Sequence, residues 1–498
     1  MNIFKFLCIF LAFASFVRLS HQECIHDQLA IDLEEVQDDE HGRNLASSWA
    51  PIRIRADFTH FTGSSSTKNY IQNKLLPPIF DYFSATLSVQ RLSSLKLSGS
   101  ACGLSVPSIY RNGVDADLVF FITGERASAS WIAWAKPCQT SSSTGRAISG
   151  QINFNLNSVV ASNDADFEKD MMVAMHEMTH VLGVSQSLFP NYLNVPSQGT
   201  VNVNGYSTPY ISVSPLTEMV REHFGCSNAV GALLENQGGS GSAGSHFERR
   251  VFMNEYMTAS ATQDMRITKF TLALLEGSGW YKVNYAMADP FYWGKDKGCS
   301  FISGSCKSGV FDEFCISMRS AGCNYHRTHG AYCGSTSSSS TVNDRFVDNC
   351  PYYAPYSNAD CTDPTNSGRA AIAAEYYGEG SRCFMGTLYS SGTLRSKRSY
   401  CLKYECQKQA DGSYYVNMIL GSRTGVCRSK GSISISGYSG TLDCPDPQEF
   451  CTTVGAKYCK RGCMGRGTCN ADGTCLCNNG YSGAVCLSST MVGIDVCC

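Results

Sequence analysis

The chain carries almost no charge excess: 40 Lys and Arg stand against 42 Asp and Glu, leaving a formal charge of -2 over 498 residues. A field that weak excludes attraction to nucleic acid or an anionic membrane as an organising feature. Beyond the first twenty residues there is no apolar run long enough for a membrane span. No Asn-x-Ser/Thr acceptor occurs, so N-glycosylation is not expected, and there is no internal repeat. A chain of 498 residues also exceeds what one core sustains, about 250 to 300 residues, so three or four units are expected.

Cysteine is what the chain has in abundance, with 26 in all. Cys8 falls in an N-terminal stretch that runs from Lys5 through apolar Phe6 to Val17 and on to Ser20, the pattern of a secretory signal peptide. An uncleaved anchor is the alternative, but the run is shorter than the roughly 20 residues a span needs. From Cys102 to Cys498 there are 24 cysteines, most of them after Cys299, which fits export and a disulfide framework. Cys24 stands apart, followed by an acidic stretch (32 to 40) that reads as a propeptide.

Alternating apolar residues from Ile52 to Phe58 and the run 117 to 124 suit strands. Residues 150 to 157, with Ile152, Phe154 and Leu156 alternating with polar residues, read as a half-exposed strand available to pair with a bound peptide. A helix is expected from Asn163 or Asp164 to Leu182, stopped by Gly183, and a second from about Thr268 to Glu276. At 100° per residue, Phe167, Met171, Ala174, Met175, Met178 and Leu182 share one face of the first helix. His176 and His180 lie on the other. The serine run 335 to 341 reads as an exposed loop.

His176-Glu177-Met178-Thr179-His180 is HExxH. Residues four apart on a helix stand one turn above each other, so two imidazoles can meet one zinc ion while Glu177 serves as general base toward an activated water. Surface residues could compose the same five letters, but the position opposite the apolar stripe, the exported chain and Gly183, giving HExxHxxG, weigh against that. The short continuation to a third histidine is absent, because Val184, Ser185 and Gln186 follow. By spacing alone His223, His246, His326 and His329 remain candidates.

Gly244-Ser245-His246-Phe247-Glu248, following a Gly-rich turn, resembles the third-ligand segment of the leishmanolysin family of zinc peptidases. The resemblance implies His246 as third ligand, with His223 a bystander and Cys226 a disulfide cysteine. Asn254 to Thr258 resembles the family's Met-turn, with Met257 at the methionine position. Cys24-Ile25-His26-Asp27 resembles its propeptide motif, which implies a thiolate blocking the metal until the segment is removed. Without that resemblance, Cys24 is a cysteine awaiting a partner. The spacing Cys459-x3-Cys463-x5-Cys469-x5-Cys475-x-Cys477-x8-Cys486 resembles an EGF-like module and implies pairings 459–469, 463–475 and 477–486.

The expected architecture is α+β: a metzincin-like catalytic domain with a mixed sheet and zinc-binding helix, then a disulfide-rich domain and an EGF-like module. Its boundaries are signal peptide 1–20, propeptide 21–48, N-terminal catalytic subdomain 49–183, central subdomain 184–298, cysteine-rich domain 299–456, EGF-like module 457–487 and tail 488–498. The tail, with Asp495 inside it, does not support a GPI anchor. The expected activity is that of a secreted zinc metalloendopeptidase acting on proteins and peptides, with one Zn2+ and a surface partner conceivable through the EGF-like module. The competing readings are a non-catalytic adhesion protein with a vestigial metal site and a zinc hydrolase acting on non-peptide bonds.

Overall fold

Alternation along the first third of the chain becomes one mixed sheet. A computed structural model describes residues 24–37, 49–91, 93–159, 164–238, 243–262, 264–306, 309–317, 319–334, 345–390 and 396–489. The expected signal peptide, half of the Gly/Ser turn before His246, the serine run and residues 490–498 lie outside them. The strands are β1 (Glu34–Val36), β2 (Ile54–Asp57), β3 (Leu118–Glu125), β4 (Ala133–Ser141) and β5 (Ala147–Asn155), in the order β1-β4-β5-β3-β2. Only β4 and β5 pair antiparallel.

β5 departs from expectation. Every residue in it is buried, because β3 and β4 take both its edges. Its polar side chains find partners inside the protein: Gln151 donates to Thr123 Oγ1 (3.1 Å), Thr123 to Asn153 Oδ1 (2.8 Å) and Asn153 to Glu125 Oε1 (2.7 Å). The strand 150 to 157 therefore cannot accept an added peptide strand, since an interior strand has no unpaired backbone to offer.

The described helices that matter for the site are α1 (Leu76–Thr86), α2 (Asp164–Leu182), α3 (Leu216–Phe224) and α4 (Lys269–Gly277), the last capped by the Thr268 hydroxyl on Phe270 N. α2 packs across β4 and β5. Met171, Ala174, Met175, Met178 and Leu182 on its apolar stripe are fully buried. The approach to the sheet is close: a Cβ on Gly150 would sit 2.5 Å from Val181 Cγ1. The histidine side of α2 is also covered, leaving His180 without exposure.

A second core lies under a six-stranded sheet in the C-terminal half, from Ile372 to Cys451. The main core runs from Ile52 to Met464. Among the described residues there are eleven disulfides, including Cys102–Cys138 and Cys226–Cys299, and one free cysteine, Cys24. The last three bonds are Cys459–Cys469, Cys463–Cys475 and Cys477–Cys486. No described helix is long and apolar enough to cross a membrane.

Candidate metal centre

The one-turn spacing on α2 puts the His176 and His180 Nε2 atoms 3.1 Å apart, and His246 Nε2 lies 3.3 Å from His176 Nε2. His246 arrives from a segment in which Gly244 adopts φ +110°, a conformation glycine takes without a Cβ clash. Ser245 Oγ fixes the segment by accepting the Gln186 N–H at 2.9 Å. Cys24 Sγ closes the group, 3.4 Å from His180 Nε2. The four donor atoms lie within 4.8 Å of one another, all on buried residues.

Each imidazole spends its other nitrogen on an acceptor. His176 Nδ1 is 2.5 Å from the Tyr256 carbonyl, His180 Nδ1 is 2.6 Å from the Val184 carbonyl, and His246 Nδ1 is 3.2 Å from Asp27 Oδ2. Acceptor-only partners place the protons on Nδ1, leaving three Nε2 lone pairs turned toward one another. Such a cluster is repulsive unless a cation sits within it. Zn–N bonds of ~2.0 to 2.1 Å give tetrahedral N–N edges of about 3.3 Å, so both the spacing and the donor set suit zinc.

Burial holds His176 down to about 3 and lowers His180 well below its ordinary value, keeping both neutral, the form that binds metal. Glu177 follows one residue on. Its Oε2 accepts the Ala135 N–H at 3.1 Å and its Oε1 accepts the Cys24 thiol at 3.3 Å. Burial pushes the Glu177 carboxyl up to about 8, and burial, then Glu177, pushes the Cys24 thiol up. A divalent cation would reverse both directions.

The N-terminal segment makes more of this site than one cysteine. The His26 ring stacks on His180 at 3.9 Å between centroids, with Nδ1 2.8 Å from the Ala135 carbonyl and Nε2 2.8 Å from Ser185 Oγ. Cys24 N–H donates to the Ala259 carbonyl at 3.1 Å. β1 then pairs in parallel with residues 139 to 141 of β4. The segment thus runs from the three histidines to the outer edge of β4.

Of the other candidates, His223 lies elsewhere, packed against Phe270 and Phe291 with Nε2 2.9 Å from the Trp293 carbonyl. His326 sits 3.3 Å from Asp264 and His329 lies 3.8 Å from Asp360. Met257 is fully buried in the turn after Tyr256, whose carbonyl holds His176. Glu255 organises that turn, accepting from Met257 N, Thr268 Oγ1 (3.2 Å) and Thr271 Oγ1 (2.6 Å). Sequence reasoning assigned no role to His26, Asp27, Tyr256 or Glu255. Each had a signal only as a neighbour: His26 and Asp27 follow Cys24, and Glu255 and Tyr256 precede Met257 in the segment that resembles the Met-turn.

The family model for leishmanolysin matches residues 63–457. The chain is 26% identical over 474 residues to a leishmanolysin-like peptidase of Drosophila melanogaster, covering 73% of this chain and 67% of that protein. To leishmanolysin of Leishmania major it is 25% identical over 425 residues, covering 78% and 69%. A leishmanolysin homolog of Crithidia fasciculata is 27% identical over 419 residues, with 76% and 63% covered.

Proposed function

Because the chain belongs to the leishmanolysin family of metallopeptidases, we propose that it is an exported zinc endopeptidase, made as a zymogen whose own N-terminal segment closes the site. The observation that carries this reading is the convergence of three Nε2 atoms in a buried site where every Nδ1 is already engaged. His176, His180 and His246 are the protein ligands in this reading, and Met257 belongs to the turn that supports them. Zinc held there supplies the acidity that makes water a nucleophile near neutral pH and polarises a peptide carbonyl.

Glu177 does the proton work. Its carboxylate, oriented by the Ala135 N–H, takes the proton of the attacking water and delivers it to the leaving amine. Cys24 blocks that role twice, as a thiol on Glu177 and as a fourth donor beside His180. Removal of the segment frees the outer edge of β4 near Ala135, and a substrate adds there as an extra strand, recognised through backbone groups. A small cavity of about 20 Å³ adjoins Cys24 and Glu177. Ile132, Val173, Ala261 and Met265 among its lining residues give an apolar wall to the space that opens there for a substrate side chain once Cys24 leaves. The eleven disulfides among the described residues accord with an extracellular place of action.

The test is cleavage of a quenched peptide library by protein lacking residues 1 to 48, beside its Glu177→Gln variant and with a zinc chelator. Zinc-dependent cleavage absent from the variant is expected. No cleavage by folded, zinc-loaded protein would overturn the reading in favour of a non-catalytic surface protein.

A further inference from the structure

The family match ends at residue 457, yet the disulfide module that follows is built into the catalytic unit. Residues Arg461 to Met464 form a left-handed turn, with φ between 50° and 57° at all four positions. Cys463 and Met464 are fully buried, and Met464 belongs to the main core. The turn packs on α1, where Arg466 Nε lies 2.7 Å from Asp81 Oδ2. Arg461 N–H donates to Asp289 Oδ1 at 2.8 Å, and Arg266 donates to Tyr458 Oη at 3.1 Å.

The remaining contacts reach α2. Arg461 NH2 lies 2.7 Å from Glu168 Oε1, and Lys460 Nζ pairs with the same oxygen. The Arg461 side chain is 1% exposed, and its Nε and NH1 atoms have no hydrogen-bond partner among the described residues. A buried guanidinium hydrogen-bonded through one carboxylate is strongly bound to that carboxylate, because losing it leaves the charge in the core with no side-chain hydrogen bond among the described residues and only the field of Asp289 to offset it. Glu168 stands two turns before His176 on the same helix. On the other side of that stretch Tyr70 donates to Asp170 Oδ2 at 3.0 Å.

We propose that the C-terminal disulfide module is an intramolecular brace on the active-site helix, with Arg461 a positioning residue that fixes the first turns of α2 through Glu168. The catalytic consequence rests on the peptidase reading above; the bracing contact does not. A rigid helix start matters because a metal ligand displaced by a fraction of an ångström loses its place opposite the third histidine, which is held by a separate segment.

The experiment uses full-length protein, before and after removal of the N-terminal segment, as wild type, Arg461→Met, Arg461→Lys, Glu168→Gln and the Glu168→Gln/Arg461→Met double variant. Amide exchange in residues 165 to 176 is expected to rise about tenfold in Arg461→Met, with exchange in the six-stranded C-terminal sheet unchanged. In processed protein kcat falls about tenfold at constant KM, Arg461→Lys restores most of both losses, and the double variant is no worse than Arg461→Met. Wild-type exchange and kcat in folded Arg461→Met, or additive losses in the double variant, would overturn the brace and leave the module a passenger. Should Arg461→Met fail to fold, Glu168→Gln on the partly exposed side of the pair reads the same contact. If the wild type cleaves no peptide, the exchange measurement alone decides, since it needs no catalysis.

Discussion

Gly150→Ala tests whether the fit of helix to sheet sets the reacting geometry. A Cβ at position 150 would lie 2.5 Å and 2.9 Å from the two Val181 methyls and 3.2 Å from the Lys136 carbonyl. Carbon atoms settle at about 3.5 to 4.0 Å, so α2 must withdraw by about 1 Å at the residue next to His180. Overpacking of that kind costs ~1 to 3 kcal/mol of stability. A shift of about 1 Å in the ligand helix costs about 10²-fold in rate when the other ligand and Ala135 stay in place. Val181→Ala alone should lose ~1.6 kcal/mol for two buried methyl groups. Combined with Gly150→Ala it makes room for the new methyl and should recover most of the rate. The assay is kcat/KM of processed protein on one peptide, with zinc content and urea midpoints of all four proteins. A Gly150→Ala enzyme with wild-type rate and midpoint, or a loss that Val181→Ala does not relieve, refutes the argument.

Other outcomes follow from the same geometry. Glu177→Gln should retain zinc and lose turnover, whereas His246→Ala should weaken zinc itself; zinc and activity both kept in His246→Ala would remove it from the ligand set. Asp27→Asn keeps the shape of the 3.2 Å contact to His246 but not its charge, and should let unprocessed protein leak activity by about tenfold. A silent Asp27→Asn zymogen beside a leaking Cys24→Ala would assign latency to the thiol alone. His223 gives a pH test: burial holds its imidazole down to about 4. Below pH ~6.5 the unfolded chain takes up a proton that the native one refuses, so this residue's contribution to stability falls as pH drops from ~6.5 toward 4, by about 2 kcal/mol. His223→Gln should lose that part of the slope between urea melts at pH 7 and pH 4.5, and parallel slopes would contradict it.

The extent of α2, the stripe that packs it and the pairing of His176 with His180 were legible because they depend on residues three and four apart, where helix geometry alone decides. His246 was not fixed by spacing; only likeness to known sequences separated it from His223, since a long excursion carries the chain back to the helix. β5 misled for a physical reason. Its polar alternation is the same whether the polar face meets water or meets Thr123 and Glu125, and only the neighbouring strands settle which. The places of His26 and Asp27 were invisible because both bind residues far along the chain. So was the Arg461 turn, whose backbone conformation no local propensity announces.

The ties that complete α2 also order its assembly in time. Cys24 meets a carboxylate 153 residues further along, and Glu168 waits 293 residues for Arg461. On a growing chain the plug is made before any of the three histidines, and the brace only after residue 461 has emerged. The slow, long-range closures therefore come at the end of folding. Under the zymogen reading proposed above, at no moment in synthesis do the three histidines exist without the segment that closes their site, so sequence order itself would guard the newly made chain.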